Sequence, residues 1–168
     1  MHFYSKVKTE IGEFWAAWNS SGITMICPAE DDAGRFENSY LRQFDSRPQR
    51  NDIPDEYRHA IQEAAAGREF GSVALDLSSL SKFQVKVLKS LQKIPRGQVR
   101  TYSWLAKKAG SPGAARAVGN AMARNPIPIL IPCHRVVPST GGVGQYGLGS
   151  ALKRDLLLRE GVAVEELE

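Results

Sequence analysis

The decisive stretch of this chain is Ile131-Pro132-Cys133-His134-Arg135-Val136. The thiolate is the reactive form of cysteine, and basic neighbours lower a thiol pKa from about 8.5 toward neutrality. Pro132 restricts Ile131 to an extended backbone, which predicts that Cys133 enters at a strand end or a turn. Adjacent side chains diverge in strands and do not face each other in helices, so direct contact between Cys133 and His134 is not expected. Two interpretations stay open, an activated cysteine and a buried, inert one.

Charge is distributed unevenly along the 168 residues, whose net charge is +4. Residues 1–77 carry 8 basic and 13 acidic side chains, whereas residues 78–168 carry 14 basic and 5 acidic ones. Residues 78–154 contain 13 basic side chains and no acidic one. A helix with surface ion pairs would contain acids among its bases. The pattern favours a polyanionic partner, most simply nucleic acid, over the alternative of a solvated basic face.

Composition argues against several classes of protein. No apolar run approaches the roughly 18 residues of a membrane span. Residues 1–4 lack the basic and apolar segments that open a signal peptide. Cys27 and Cys133 are the two cysteines, which excludes a disulfide scaffold and favours a reducing, intracellular setting. We therefore expect no membrane association. The expected location is the cytoplasm, with the nucleoid as an alternative, or the nucleus if the protein is eukaryotic.

The first half has the pattern of a small α+β unit. Three strands with tight turns between them are predicted over residues 3–8, 13–18 and 23–27. Helical spacing of aromatic residues predicts a helix around residues 36–44, and Pro54 and Gly67 can open and close a second one. A further strand is predicted where apolar residues alternate, at Val73, Leu75 and Leu77.

The composition changes at Ser78, and we predict a domain boundary there, between residues 1–77 and 78–168. Ser81 can cap a helix with an apolar stripe, and Thr101 can cap a short helix that ends at Ala109. A glycine-containing turn then leads into a second helix, over residues 114–124, which is rich in small side chains. This pattern is typical of a helix-turn-helix, whose second helix enters a DNA groove, although any helical hairpin also produces it.

The segment after the cysteine, residues 139–149, is rich in glycine but lacks the Gly-Lys-Ser/Thr of a nucleotide-binding loop. A close-fitting wall around a flat substrate is the preferred interpretation, and a mobile connector is the alternative. Ser150 can cap a last helix, which Gly161 ends. Glu160 lies in its final turn, where the helix dipole disfavours an anion. That position hints at pairing with a histidine, and a solvated carboxylate is the alternative.

Four motifs of the second half are Gly97–Tyr102, Ala114–Gly119, Asn125–Val137 and Leu157–Gly161. With them, residues 83–161 closely resemble the 6-O-alkylguanine–DNA alkyltransferases, also called methylated-DNA–protein-cysteine methyltransferases. Similarity within residues 1–77 is limited to the strand-rich start. The resemblance implies an α+β fold, in which a small ribonuclease-H-like α/β domain precedes a helical winged-helix or helix-turn-helix DNA-binding domain.

The resemblance also implies direct-reversal DNA repair. The protein would flip 6-O-alkylguanine out of duplex DNA and transfer the alkyl group irreversibly to Cys133, once per molecule. In this scheme His134 acts as the base through a bridging water, and Glu160 orients that histidine. Tyr102 crowds the phosphate and hydrogen-bonds the guanine, and Asn125 braces the site.

The remaining site residues also follow from the resemblance. Arg116 would replace the flipped nucleotide in the base stack, and the predicted DNA-binding set also contains Tyr102, Ala115, Arg124 and Arg135. Backbone groups of Cys133, Val136 and Gly147 correspond to those that read the guanine edge, although the family often has serine where Gly147 stands. The predicted pocket is completed by Pro128, where a proline can stack on a benzyl group, by Gly144, which leaves room beside it, and by Tyr146.

The expected partner is double-stranded DNA that carries 6-O-alkylguanine, with 4-O-alkylthymine as a further candidate lesion. A monomer without a cofactor is expected. Some members of the family hold zinc in the first domain, but the ligands here are His2, Cys27 and His59, too few for a closed four-ligand site. Three alternatives stay open: a relative that binds lesions without transferring the alkyl group, a cysteine hydrolase, and a sequence-specific helix-turn-helix regulator.

Overall fold

A computed structural model describes residues 1–30 and 32–167. The first half forms a sheet from four strands, β1 (Phe3–Thr9), β2 (Gly12–Asn19), β3 (Gly22–Pro28) and β4 (Gln49–Arg50). Their order is β3-β2-β1-β4, with β1 to β3 antiparallel and β4 parallel to β1. The two helices of this half are α1 (Ala33–Phe44) and α2 (Asp55–Ala65). The three long strands and both helices confirm the predictions.

The two faces of the sheet pack against different partners, because successive side chains of a strand point to opposite faces. Trp15 and Ala17 of β2 form an aromatic cluster with the apolar side of α1. Phe14 and Ala16, on the other face, join the main hydrophobic core, which also contains residues of α2 and of the second half of the chain. The sheet is therefore buried on both sides.

The second half is mainly helical. Its helices are α3 (Lys82–Leu91), α4 (Tyr102–Lys108), α5 (Ala115–Ala123) and α6 (Ser150–Arg159). Two short parallel strands are β5 (Arg100–Thr101) and β6 (Val136–Val137), and single 3-10 turns cover Cys133–Arg135 and Val164–Leu167. The caps predicted at Ser81 and Thr101 are confirmed, since each side chain accepts a hydrogen bond from the backbone N–H three residues further along the chain.

Two local predictions were wrong. The segment around Leu75 is not a regular strand and forms an isolated bridge with Ile23. It meets β3 where Gly22 has no side chain, and a Cβ atom there would lie 2.5 Å from the backbone of Ala74. Ser150 does not cap α6 from outside but is its first residue, and Gly149 occupies the cap position without a side-chain hydrogen bond.

The α+β fold class is confirmed, because a sheet-containing unit is followed by a helical unit. In the helical unit, α4 and α5 form the helix-turn-helix. The predicted boundary between residues 77 and 78 stays a prediction, and the main core contains residues from both sides of it. None of the described helices is both long and apolar enough to cross a membrane.

Candidate active site

Cys133 follows a tight loop that the side chain of Asn125 braces. Asn125 Oδ1 accepts a hydrogen bond from Ile127 N at 2.9 Å, and Nδ2 donates to Ile131 O at 3.2 Å. The same Nδ2 lies 3.3 Å from Cys133 Sγ. Within the loop Ile129 has a φ of 79°, a left-handed conformation that costs a β-branched residue on the order of 1–3 kcal/mol. The amide thus holds a strained loop and supplies a donor to the thiol.

The side chains of Cys133 and His134 point to different surroundings, as their adjacency predicts. Both residues belong to the short 3-10 turn that follows the loop. Cys133 lines a cavity, whereas the imidazole of His134 is fully buried and its Nε2 lies 3.1 Å from Glu160 Oε2. The fold therefore brings together the histidine and the glutamate of the predicted relay, and the link from His134 to Cys133 stays a prediction.

Glu160 ends α6 and is held by two neighbours. Arg135 donates from Nε to Oε1 at 3.0 Å and from Nη2 to Oε2 at 2.7 Å. Burial alone would raise the pKa of Glu160, but the hydrogen bonds from His134 and Arg135 outweigh it and lower the pKa to about 2. Because Glu160 is ionised, it accepts a hydrogen bond, and His134 Nε2 carries the proton that it donates.

This assignment leaves Nδ1 as the basic atom of the His134 ring. Nδ1 is buried and has no hydrogen-bond partner among the residues that the structure describes. Burial lowers the pKa of His134, and the contact with Glu160 opposes that shift only in part. The imidazole is therefore neutral near pH 7, with an unused lone pair on Nδ1. Such a group can act as a general base.

The pKa of the Cys133 thiol is raised, not lowered. Burial is the largest cause, and the Asn125 amide and the charge of Lys153 oppose it. The basic neighbours in the sequence do not lower this pKa, because His134 is neutral and the Arg135 charge is engaged by Glu160, so neither of the two interpretations left open by the sequence is decided by adjacency. The resting cysteine is protonated and needs a base to become a nucleophile.

Lys153 is a site residue that the sequence reasoning missed. Its side chain is fully buried, and Nζ donates to Val136 O at 2.7 Å and to Gln145 O at 3.1 Å. Burial lowers the pKa of Lys153 to about 8, with the Cys133 thiol acting against that shift. The ammonium ties the glycine-rich segment to β6 and places a positive charge near the thiol. A signal was available, since Lys153 precedes Leu156 and Leu157 at helical spacing on the buried side of α6.

The Cys133 side chain opens into a cavity of about 780 Å³ beneath α5. Ala115 and Arg116 of α5 are exposed and line one wall, and Tyr102 lies at the start of α4. The opposite wall comprises Pro138 and the glycine-rich residues 144–147. Burial, followed by the neighbouring Cys133, raises the pKa of Tyr102, so its phenol keeps its proton near pH 7.

A second cavity, of about 530 Å³, also reaches Cys133. Arg124 and Pro128 line it, and Tyr146 and Gly147 line both cavities. A Cβ atom at Gly147 would meet nothing within 4 Å, so the serine that the family often has would fit there. The Tyr146 hydroxyl is buried, and burial together with Cys133 raises its pKa well above 10.

The structure bears on three predicted roles and corrects two of them, those of Arg135 and Gly144. Arg135 is not available to DNA, because its guanidinium binds Glu160 and donates to Ile94 O at 2.7 Å. Val136 lines neither cavity, because its side chain is in the core, and its carbonyl accepts the bond from Lys153, while the reading of guanine by its backbone stays a prediction. Gly144 does not leave room, because a Cβ atom there would lie 2.7 Å from Pro138 Cδ and its φ is 81°. The glycine is needed for close packing of the loop.

Among residues 1–30 and 32–167, no group of three or more His, Cys, Asp or Glu side chains is placed to hold a metal ion. The lack of a structural zinc stays a prediction.

The pH dependence of stability is expected to report the Glu160 carboxylate. Its pKa is lower in the folded protein, at about 2, than the ordinary value of 4.5, so it stabilises the fold above pH 4.5 and this contribution is lost as pH falls toward 2. Between pH 6 and about pH 3.5, the free energy of unfolding should fall by about 1 kcal/mol more in the unmodified protein than in Glu160→Gln. Urea titrations at both pH values measure this difference, and parallel losses in the two proteins would contradict the assignment.

The fold and the site define a helix-turn-helix protein that carries a buried cysteine beneath its second helix. Residues 82–162 match the family model of the 6-O-methylguanine DNA methyltransferase DNA-binding domain. The constitutive methylated-DNA–protein-cysteine methyltransferase of Bacillus subtilis is 32% identical over 170 residues, which cover 99% of each chain. The chain belongs to the methylated-DNA–protein-cysteine methyltransferase family.

Two further comparisons agree with this assignment. A methylated-DNA–protein-cysteine methyltransferase of Methanothermobacter thermautotrophicus is 43% identical over 97 residues, and the match spans 58% of this chain and about half, 54%, of that relative. A crystal structure of Mycobacterium tuberculosis OGT in complex with DNA is 34% identical, with a TM-score of 0.76 over 98% of each chain. The similarity in fold therefore extends through both halves.

Proposed function

We propose that this protein repairs DNA by moving an alkyl group from the O6 atom of guanine to Cys133, once per molecule. One observation carries the proposal: the thiol opens into a cavity beneath the exposed face of α5, and the residue that follows it in the chain is a neutral, buried histidine with a free ring nitrogen. The family, the names of the relatives and the DNA complex of the Mycobacterium tuberculosis protein support the same function.

Access to the lesion requires that the base leave the duplex. Unstacking a base costs a few kcal/mol, less for a damaged one. The exposed face of α5 is formed by small residues and Arg116, which suits close approach to a groove. Arg116 at the rim of the cavity would occupy the space that the flipped base leaves, while exposed basic residues of the second half, such as Arg124, hold the phosphates without sequence preference.

The chemistry is a single displacement at the alkyl carbon. His134 Nδ1 takes the thiol proton through a water, and Glu160 stabilises the imidazolium that results. Sγ then attacks in line, so the S–C bond forms while the C–O6 bond breaks and its electron pair goes to guanine. The Tyr102 phenol gives its proton to the guanine ring, and it regains a proton from solvent while His134 loses one. The products are guanine and a thioether.

Stoichiometry tests this function. Duplex DNA with a methyl-labelled 6-O-methylguanine is incubated with the protein, and the label in each component is counted. The proposal predicts up to one methyl group per protein, covalently attached, and no further reaction after the protein is consumed. Repeated turnover would indicate a hydrolase instead, and lesion binding without transfer would indicate a lesion-binding relative.

Replacement of the base is expected to change the pH dependence of the reaction. His134→Gln keeps a donor to Glu160 but cannot take a proton, so the thiol, whose pKa burial raises, stays protonated near pH 7. The alkylation rate at pH 7 should fall about 10²- to 10⁴-fold and should continue to rise at higher pH. The rate of reaction with 6-O-benzylguanine as a free base, measured across pH, gives the profile. A profile that matches the unmodified protein would remove His134 from the mechanism.

A further inference from the structure

The second cavity beside Cys133 extends to the first half of the chain. Beyond the thiol and Pro128, its wall includes Met25 of β3 and Gln43 of α1. Neither residue lines the cavity beneath α5. Of the two spaces that meet at the thiol, one thus lies beneath α5, and the other lies between the two halves of the chain.

Hydrogen bonds fix the walls of this second cavity. Ile26 N of the edge strand β3 donates to Pro126 O at 2.8 Å, which ties the sheet to the loop that carries Cys133. On another side, Gln84 Nε2 of α3 donates to Arg124 O at 3.1 Å. These hydrogen bonds therefore hold β3 of the first half at a fixed position relative to the loop that carries the thiol.

We infer that the second cavity receives the far end of long alkyl groups, so that Met25 and Gln43 in the first half select which adducts react. This inference rests on the proposed function. In an in-line displacement the rest of a long alkyl group projects sideways from the O–C–S axis and needs space beside the thiol. The flipped base occupies the cavity beneath α5, which leaves the second cavity for the chain. A methyl group is too short to reach its outer wall.

The wall offers apolar side chains to a hydrocarbon chain, together with polar ones such as Gln84 and Arg124. Pro128 and Met25 are apolar, and each methylene that they bury favours binding by about fourfold. Gln43 is exposed and stands at the outer side of the cavity, on the surface of α1. A larger side chain at this position can narrow the cavity without a change in the core.

Two substitutions at Gln43 and one control test the inference. Duplexes with 6-O-methylguanine and 6-O-octylguanine compete for the protein, and the ratio of octyl to methyl transfer is measured by protein mass. Gln43→Trp should lower this ratio at least fivefold by filling the cavity, and Gln43→Leu should raise it about twofold by making the wall more apolar. Arg42→Trp, an equally exposed neighbour on α1 that lines neither cavity, should leave the ratio within about twofold of its original value.

The controls separate this inference from the proposed function. Normal methyl transfer with an unchanged ratio in Gln43→Trp overturns the role of the second cavity alone. An equal loss of methyl and octyl transfer in that variant also overturns it, because a space for long chains does not affect a methyl group. If the unmodified protein transfers neither group, the proposed function fails first and the inference fails with it.

Discussion

Replacement of Cys133 by alanine is expected to abolish alkyl transfer while lesion binding persists. Alanine removes the sulfur that forms the new bond, but it leaves α5, Arg116 and the walls of the cavity in place. Transfer should fall below detection in a labelled-methyl assay. The affinity for duplex DNA with 6-O-methylguanine, measured by fluorescence anisotropy, should stay within about threefold of the original, because phosphate contacts dominate such binding.

Either of two results would contradict this assignment. Methyl transfer that persists in Cys133→Ala would place the acceptor elsewhere, and Cys27 is the other cysteine of the sequence. If the variant loses both lesion binding and its folded structure, the buried Cys133 serves mainly to pack the core. Thermal unfolding of the variant, followed by circular dichroism, distinguishes these two outcomes.

Replacement of Arg116 by alanine is expected to separate duplex repair from the chemistry. The side chain is exposed at the rim of the cavity, away from the relay of His134 and Glu160. Because a duplex base must be unstacked at a cost of a few kcal/mol, the rate on duplex 6-O-methylguanine should fall about 10²-fold. The rate with 6-O-benzylguanine as a free base should change by less than about threefold, since no stack has to be opened.

A matched control separates the effect of the position of Arg116 from the effect of its positive charge. Lys93→Ala removes one exposed positive charge of the second half, at a residue that lines neither cavity. It should weaken duplex repair only slightly and should reduce the salt dependence of binding. Equal losses of Arg116→Ala on the duplex and on the free base would mean that Arg116 serves the chemistry or the fold instead of base flipping.

The sequence predicted those features that depend on local pattern. The three long strands follow from alternation and turns, and the starts of α3 and α4 follow from Ser81 and Thr101. The wrong strand around Leu75 has the same local pattern, but the backbone there meets β3 only at one bridge. Local sequence does not reveal which residues of a partner strand are close enough to pair.

The corrected site residues depend on three-dimensional contacts. Arg135 is adjacent to the acceptor and basic, but the end of α6 brings Glu160 to it and removes it from the DNA-binding set. Gly144 is small, but Pro138 fills the space beside it. The pKa of Cys133 is raised because burial outweighs its basic neighbours, and the depth of burial cannot be read from adjacency. Resemblance named Glu160 and His134 correctly as neighbours, although they are 26 positions apart.

The site of the new thioether is the most direct test of the account. Protein is treated with excess duplex DNA that carries 6-O-methylguanine, and its peptides are then mapped by mass spectrometry. We predict one added methyl group, on the peptide that contains Cys133, and none on the peptide that contains Cys27. A methyl group on any other residue, or unmodified protein after the lesion has disappeared from the DNA, would contradict the assignment of Cys133 as the alkyl acceptor.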